Sequence, residues 1–99
     1  MTSFEAHIKG NKPVVVDFSA EWCGPCKLME PVLHQVKGHV GERVTILKMD
    51  IDKFPDSVSL YNIRAVPTLI IFKDGEIIWR KTGITPAQEI LQHLKKHMN

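Results

Sequence analysis

Trp22-Cys23-Gly24-Pro25-Cys26-Lys27 holds the only two cysteines of the chain, with two residues between them. Ahead of it runs the apolar segment Val14-Val15-Val16-Asp17-Phe18. Behind it apolar residues recur at helical spacing from Leu28 onward, so the cysteines fall where a strand gives way to a helix. At such an N-cap, Cys23 meets backbone N–H groups that lack intrahelical partners and the positive end of the helix dipole, both of which stabilise a thiolate. Gly24 permits a tight turn, and Pro25 suits a first helical turn because the N–H it lacks has no partner there anyway. Cys26 is placed to return its own N–H to the Cys23 sulfur. A helix-end interaction of up to about 2 kcal/mol lowers a thiol pKa by roughly 1.5 from about 8.5. A disulfide between residues three apart encloses almost no chain and is a poor staple by the loop-entropy argument. The pattern points to a redox pair rather than a structural crosslink.

Ninety-nine residues, 43% hydrophobic and 24% charged, suffice for a single core. No linker, repeat or low-complexity run divides them, so residues 1–99 read as one domain. A net charge of +2 without clustered Lys and Arg argues against a nucleic-acid or membrane-surface partner. Lys95, Lys96 and His97 suit a helix C-terminus instead. Met1-Thr2-Ser3-Phe4-Glu5 has neither a basic n-region nor an apolar h-region, and no apolar run approaches membrane-spanning length. The expected compartment is the cytoplasm, where thiols stay reduced and a lone C-x-x-C is more often catalytic or metal-binding than structural. Zinc is the competing reading, with His34 and His39 on the following helix. Five residues apart they face different sides, and the seven residues between Cys26 and His34 fall short of finger spacing, so no metal is expected.

The remaining pattern lays out the elements. Thr2 and Glu5 form a capping box, Phe4 and Ile8 share a face, and Gly10 closes a first helix. Residues 13–19 read as a strand whose near-continuous apolar run suits a sheet covered on both faces. The helix from Cys23 sets Leu28, Met29, Val32, Leu33, Val36 and Val40 at helical spacing and ends at Gly38 or Gly41. Pro31, lacking an N–H and clashing with the Lys27 carbonyl, is expected to kink it. Residues 43–50 read as a second strand and 55–61 as a short helix. Residues 68–72 and 76–81 are strands joined around Asp74-Gly75, a hairpin signal. In the last helix Thr85 is the expected cap, Pro86 the first position and Gln88 the partner in a capping box. Ala87, Ile90, Leu91, Leu94 and Met98 form its buried stripe. The order α-β-α-β-α-β-β-α implies an α/β fold with a central mixed sheet of about four strands flanked by helices.

Asp17-Phe18, Trp22-Cys23-Gly24-Pro25-Cys26-Lys27, Pro31, Lys48, Val66-Pro67-Thr68, Phe72-Lys73-Asp74-Gly75 and Gly83 together resemble the thioredoxin family over nearly the whole chain. W-C-G-P-C-K with V-P-T downstream at the head of a strand is a highly specific combination. The resemblance implies the thioredoxin fold and a protein dithiol–disulfide oxidoreductase. Cys23 attacks a target disulfide, Cys26 resolves the mixed disulfide, and the cycle runs through a Cys23–Cys26 disulfide with no bound cofactor. It implies disulfide-containing target proteins and thioredoxin reductase, an NADPH-dependent flavoprotein, as partners of a monomer. The N-cap sulfur is also expected to lie nearer solvent.

Asp17 resembles the family's buried carboxylate, its pKa raised by burial, which serves as base for Cys26 through water. Lys48 resembles that carboxylate's lysine neighbour. Pro67 resembles the cis-proline that faces the cysteines and exposes the Val66 backbone for strand-type pairing with a substrate peptide. Trp22, Gly24, Pro25, Ile51, Val66, Pro67, Gly83 and Ile84 then form a flat apolar docking patch. The competing readings are a strand-end carboxylate reaching solvent for Asp17, an ordinary edge-strand cation for Lys48 and, without the resemblance, a trans strand-start proline for Pro67. A disulfide oxidase or isomerase is the rival of the same class, against which Gly24-Pro25 speaks. A redox-gated binding module docking a partner through the patch is the rival of another class. Two departures stand out: Ser19 occupies the place of a second tryptophan, and the chain opens on a helix rather than the family's extra N-terminal strand. The second leaves residues 43–50 as a sheet edge, an aggregation liability that Arg43, Thr45 and Lys48 only partly blunt.

Overall fold

Six consecutive buried residues, Val14–Ser19, form the strand β1 on which the molecule is assembled. The structure is a computed structural model that describes residues 3–98, without the side chains of residues 3–5. The capping box at Thr2 and Glu5 and the side-chain pairing of Phe4 therefore lie outside what is described. In chain order, α1 (Ser3–Ile8) precedes β1, and α2 (Gly24–Val40) follows it. A short 3-10 turn (Gly41–Arg43) leads to β2 (Thr45–Asp50), α3 (Pro55–Leu60), β3 (Thr68–Lys73), β4 (Glu76–Thr82) and α4 (Ala87–Lys95). The sheet has the order β2-β1-β3-β4. β1 pairs parallel with β2, through the α2 crossover, and antiparallel with β3, which pairs antiparallel with β4. A register shift interrupts the last pair between Ile71 and Phe72. Among the described residues β2 is an edge, as the sequence implies.

Alternation along β1 divides the core, because successive side chains of a strand point to opposite faces. Val15 packs with Leu69 and Ile71 under Met29, Leu33, Val36 and Val40 of α2 and Ile90 and Leu94 of α4. Val14, Val16 and Phe18 pack on the other face with Ile8 of α1, Ile70, Phe72 and Met49, and Val58 of α3 joins them.

Three local expectations are corrected. Leu28 is not in the buried stripe of α2 but 59% exposed. The stripe runs Cys26, Met29, Leu33, Val36, Val40, and Leu28, one residue before Met29, stands about 100° round the helix from it. Arg43 does not begin β2. It lies in the 3-10 turn, where its side chain donates to the His39 and Val40 carbonyls while Lys37 donates to the Gly41 and Val44 carbonyls. These cations satisfy the end of α2, and Gly41, at φ 56°, supplies its C-cap. Pro31 lies inside the helix, which continues past it to Val40. Thr85 does not cap α4, which starts after Pro86 without a side-chain cap. Thr85 is buried instead, its hydroxyl donating to the Gly83 carbonyl and its N–H to Met29 Sδ at 3.4 Å.

The β3–β4 hairpin turns at Asp74 and Gly75, both at positive φ (55° and 82°), the combination an Asp-Gly type I′ turn requires. The turn docks on the end of α1, the Gly75 N–H donating to the Ile8 carbonyl at 2.8 Å.

Candidate active site

Cys23 sits in the N-cap position of α2 with extended backbone (φ −94°, ψ 111°), and Pro25 occupies the first turn. The Cys26 N–H donates to Cys23 Sγ at 3.2 Å, so the helix aims one of its unpartnered donors at this sulfur. Cys23 and Cys26 are joined in a disulfide with Cα atoms 5.3 Å apart, inside the ordinary range for such a bond. Both are buried, at 5% and 3% exposure, so the expected contrast in solvent access is slight. What distinguishes the two sulfurs is the hydrogen bond that only Cys23 receives.

The walls of the site come from four loops, those that follow β1, β2, α3 and β4. Ala20, Ile51 and Val66 pack against the cysteines. The Val66–Pro67 peptide bond is cis, and Cys23 Sγ lies 3.8 Å from the Val66 carbonyl oxygen. The Gly83 N–H donates to the Pro67 carbonyl at 2.8 Å, which ties the end of β4 to the same loop. Trp22 is 69% exposed, its indole N–H donating to Asp52 Oδ2 at 3.0 Å. Gly24, Pro25 and Ile84 are exposed, while Ile51, Val66 and Gly83 are half-buried. Pro67 itself is buried, so this loop presents Val66 rather than the proline ring to a partner.

Below the cysteines the β1 face turned to α2 becomes polar. Asp17 is 1% exposed, and neither carboxylate oxygen has a hydrogen-bond partner. Burial pushes its pKa from the ordinary 3.8 up to about 6, against the opposing pull of Lys48 and with a small further push from Glu30. Lys48 is the Cα partner of Asp17 across the β1–β2 pair, yet its ammonium bonds Glu30 Oε1 at 2.9 Å. That pairing lowers the Glu30 pKa and raises that of Lys48. Asp17, Glu30, Leu33, His34 and Lys48 line a cavity of about 320 Å³. A second, of about 430 Å³, is lined by Ser19, Glu21, Lys48, Asp50, Lys53 and Phe54, beside the position where the family resemblance leads one to expect tryptophan.

The sequence reading missed Glu30, whose partner lies 18 residues away on another element, and Asp52, whose bond to Trp22 spans 30 residues. No local spacing rule reaches that far. Among the described residues no group of three or more His, Cys, Asp or Glu side chains is placed to hold a metal, and His34 instead faces the Asp17 cavity.

The sequence model of the family described as thioredoxin matches residues 1–96. The chain belongs to the thioredoxin family. It is 43% identical over 84 residues to a thioredoxin-like protein of Synechocystis, covering 85% of this chain and 80% of that one. It is 42% identical over 84 residues to thioredoxin of Staphylococcus epidermidis, covering 85% and 81%. With chloroplastic thioredoxin Y of Oryza sativa it shares 41% over 87 residues, 88% of this chain but 52% of that longer one. A point mutant of thioredoxin from Halobacterium salinarum superposes with a TM-score of 0.89 at 29% identity, over the whole of this chain and 86% of that one. A thioredoxin of Nicotiana alata superposes at 0.85 and 34% identity, over 97% and 82%.

The fold is the thioredoxin fold, and the activity is that of a thioredoxin-type dithiol–disulfide oxidoreductase, a disulfide reductase whose redox centre is the Cys23–Cys26 disulfide. Family membership implies disulfide-bearing target proteins and a reductase that recharges the dithiol. No helix among the described residues is long and apolar enough to cross a membrane.

Proposed function

We propose that the chain, acting as a single-domain monomer, reduces protein disulfides in the cytoplasm and is recharged by an NADPH-dependent flavoprotein reductase. Neither nucleic acid nor membrane takes part. In the reduced form, the Cys23 thiolate attacks one sulfur of a target disulfide. A Cys23–target disulfide forms as the target's S–S bond breaks, and the second target sulfur leaves as a thiolate. Cys26 then loses its proton and attacks Cys23 Sγ, so that the Cys23–Cys26 disulfide closes and the first target sulfur is released. Two electrons pass from the dithiol to the target.

The observation that carries this reading is the hydrogen bond from the Cys26 N–H to Cys23 Sγ at 3.2 Å, at the head of a 17-residue helix. It stabilises negative charge on Cys23 and on no other sulfur, which makes Cys23 both the better attacking thiolate and the better leaving group. Asp17 is the base for Cys26. No hydrogen bond joins the two, so the proton travels through water, and a carboxylate with a pKa near 6 accepts it far more readily than one at 3.8. Lys48 holds opposite charge near that carboxylate. Trp22, Gly24, Pro25, Ile51, Val66, Gly83 and Ile84 receive the target segment, with the Val66 backbone offered for strand-type pairing and Pro67 shaping that loop. A lone redox pair without structural disulfides suits a reducing compartment.

Equilibration of the Cys23–Cys26 couple against graded dithiothreitol buffers, read by thiol trapping, tests the direction of electron flow. A potential on the order of −270 mV, the value general for thioredoxins, is expected. A value of about −180 mV or above, the isomerase and oxidase end of the scale, would reverse the assignment.

A further inference from the structure

Asp17 and Lys48 are Cα partners in a parallel strand pair, so their side chains leave the sheet on the same face. An ammonium so placed is the natural partner of a buried carboxylate, yet both Asp17 oxygens are without a hydrogen bond. Lys48 gives its hydrogen bond to Glu30 at 2.9 Å. Glu30 and Lys48 have side chains 54% and 58% exposed, and a pair so wet adds little to stability. Its effect falls on the cavity of about 320 Å³ that both line together with Asp17, Leu33 and His34.

We propose that Glu30 is a positioning residue for the dithiol chemistry: it holds the Lys48 ammonium on the exposed side of this cavity and so keeps Asp17 free to take up and release a proton through it. The proposal rests on the reading of Asp17 as the base for Cys26. The proton leaves the Cys26 thiol, resides on an Asp17 oxygen and passes to water in the cavity, with no electrons moved in that step. A Lys48 bonded to Asp17 would hold the carboxylate ionised, and a carboxylate so held is the weaker base. The charged and titratable groups around Asp17 are Glu30, His34 and, in the reduced chain, the Cys26 thiol on α2, and Lys48 on β2. Lys27 acts on Glu30 and Asp50 acts on Lys48. From β3 the residue opposite Asp17 is the apolar Leu69.

The test is the titration of the Asp17 carboxyl carbon by NMR in the full chain, alongside the pH profile of the resolving step in rapid-quench experiments. In Glu30→Gln the Asp17 midpoint should fall by about one pH unit, the size expected when a cation closes on a carboxylate. The acid limb of the resolving rate should move with it. Adding Lys48→Met to Glu30→Gln should return the midpoint to the parent value or above. An Asp17 midpoint unchanged in Glu30→Gln, or one that falls equally in the double variant, overturns the proposal, because Glu30 then acts without Lys48 or not at all. Asp17→Asn separates the two readings: a resolving rate unaffected by it removes the base assignment, whatever the carboxyl titration says of Glu30.

Discussion

The two faces of β1 are equally buried and differently made. Toward α1 and α3 the strand presents Val14, Val16 and Phe18, and the face is completed by hydrocarbon and by the Tyr61 ring, 6.3 Å from Phe18 and 5.2 Å from Phe72. Toward α2 and α4 it presents Val15, Asp17 and Ser19, apolar at the start of the strand and polar near its C-terminal end, where the cysteines lie. A buried carboxylate without a hydrogen bond is costly, and nothing on the α2 face offsets it with a direct partner. One face holds the fold together and the other holds a proton acceptor at some expense to it. Substitutions on the two faces should therefore separate stability from chemistry.

The largest effect on stability should come from the first face. Phe18→Ala removes a fully buried ring and should cost about 3–5 kcal/mol in urea unfolding. The disulfide-reduction rate per folded molecule should stay near that of the parent. A variant that folds fully yet reduces slowly would break the division between the faces.

The next effect runs the other way. Asp17→Asn should stabilise the protein at pH 7 and slow the resolving step. Raising a carboxyl from 3.8 to about 6 corresponds to about 3 kcal/mol at 1.36 kcal/mol per pKa unit. That figure is an upper bound, since asparagine keeps buried polar atoms of its own. Stability lowered at pH 7 with an unchanged rate would remove Asp17 from the chemistry.

The smallest effect, and the one that sharpens the comparison most, is the pH dependence of that gain. The folded carboxyl binds its proton more tightly than the unfolded one, so between about pH 4 and pH 6 the folded state holds more protons, and stability falls as pH rises. Below this window both states are protonated and the penalty vanishes; above it the penalty is complete. The advantage of Asp17→Asn should thus shrink toward zero near pH 4, measured by denaturant titrations at each pH. An advantage constant from pH 4 to pH 8 would assign it to packing rather than to charge.

What could be read from the sequence follows the range of the interactions involved. The N-cap position of Cys23, the Asp-Gly turn, the strand runs and the stripe of α4 depend on neighbours a few residues away, and the structure places them as read. Misreadings arose where two local rules competed. Leu28 fits a helical spacing, but Met29 fits the one that the sheet selects. Thr85 has the chemistry of a cap, yet its hydroxyl finds the Gly83 carbonyl and its N–H the Met29 sulfur 56 residues away. Arg43 has the look of a strand start and serves as a helix end. The polar cavity was half legible: Asp17 and Lys48 stood out as charges in strand runs, whereas Glu30 occupies a position on the exposed side of an amphipathic helix, where a charge is ordinary.

The assignment of Cys23 as nucleophile and Cys26 as resolving thiol is tested most directly by trapping. Each single variant, Cys23→Ser and Cys26→Ser, would be reduced, mixed with a disulfide-bonded protein and examined by mass spectrometry for a mixed disulfide. Cys26→Ser should accumulate a covalent adduct through Cys23, since attack proceeds and resolution is lost, while Cys23→Ser should accumulate none. An adduct gathering on Cys26 in Cys23→Ser, with Cys26→Ser inert, would contradict the account.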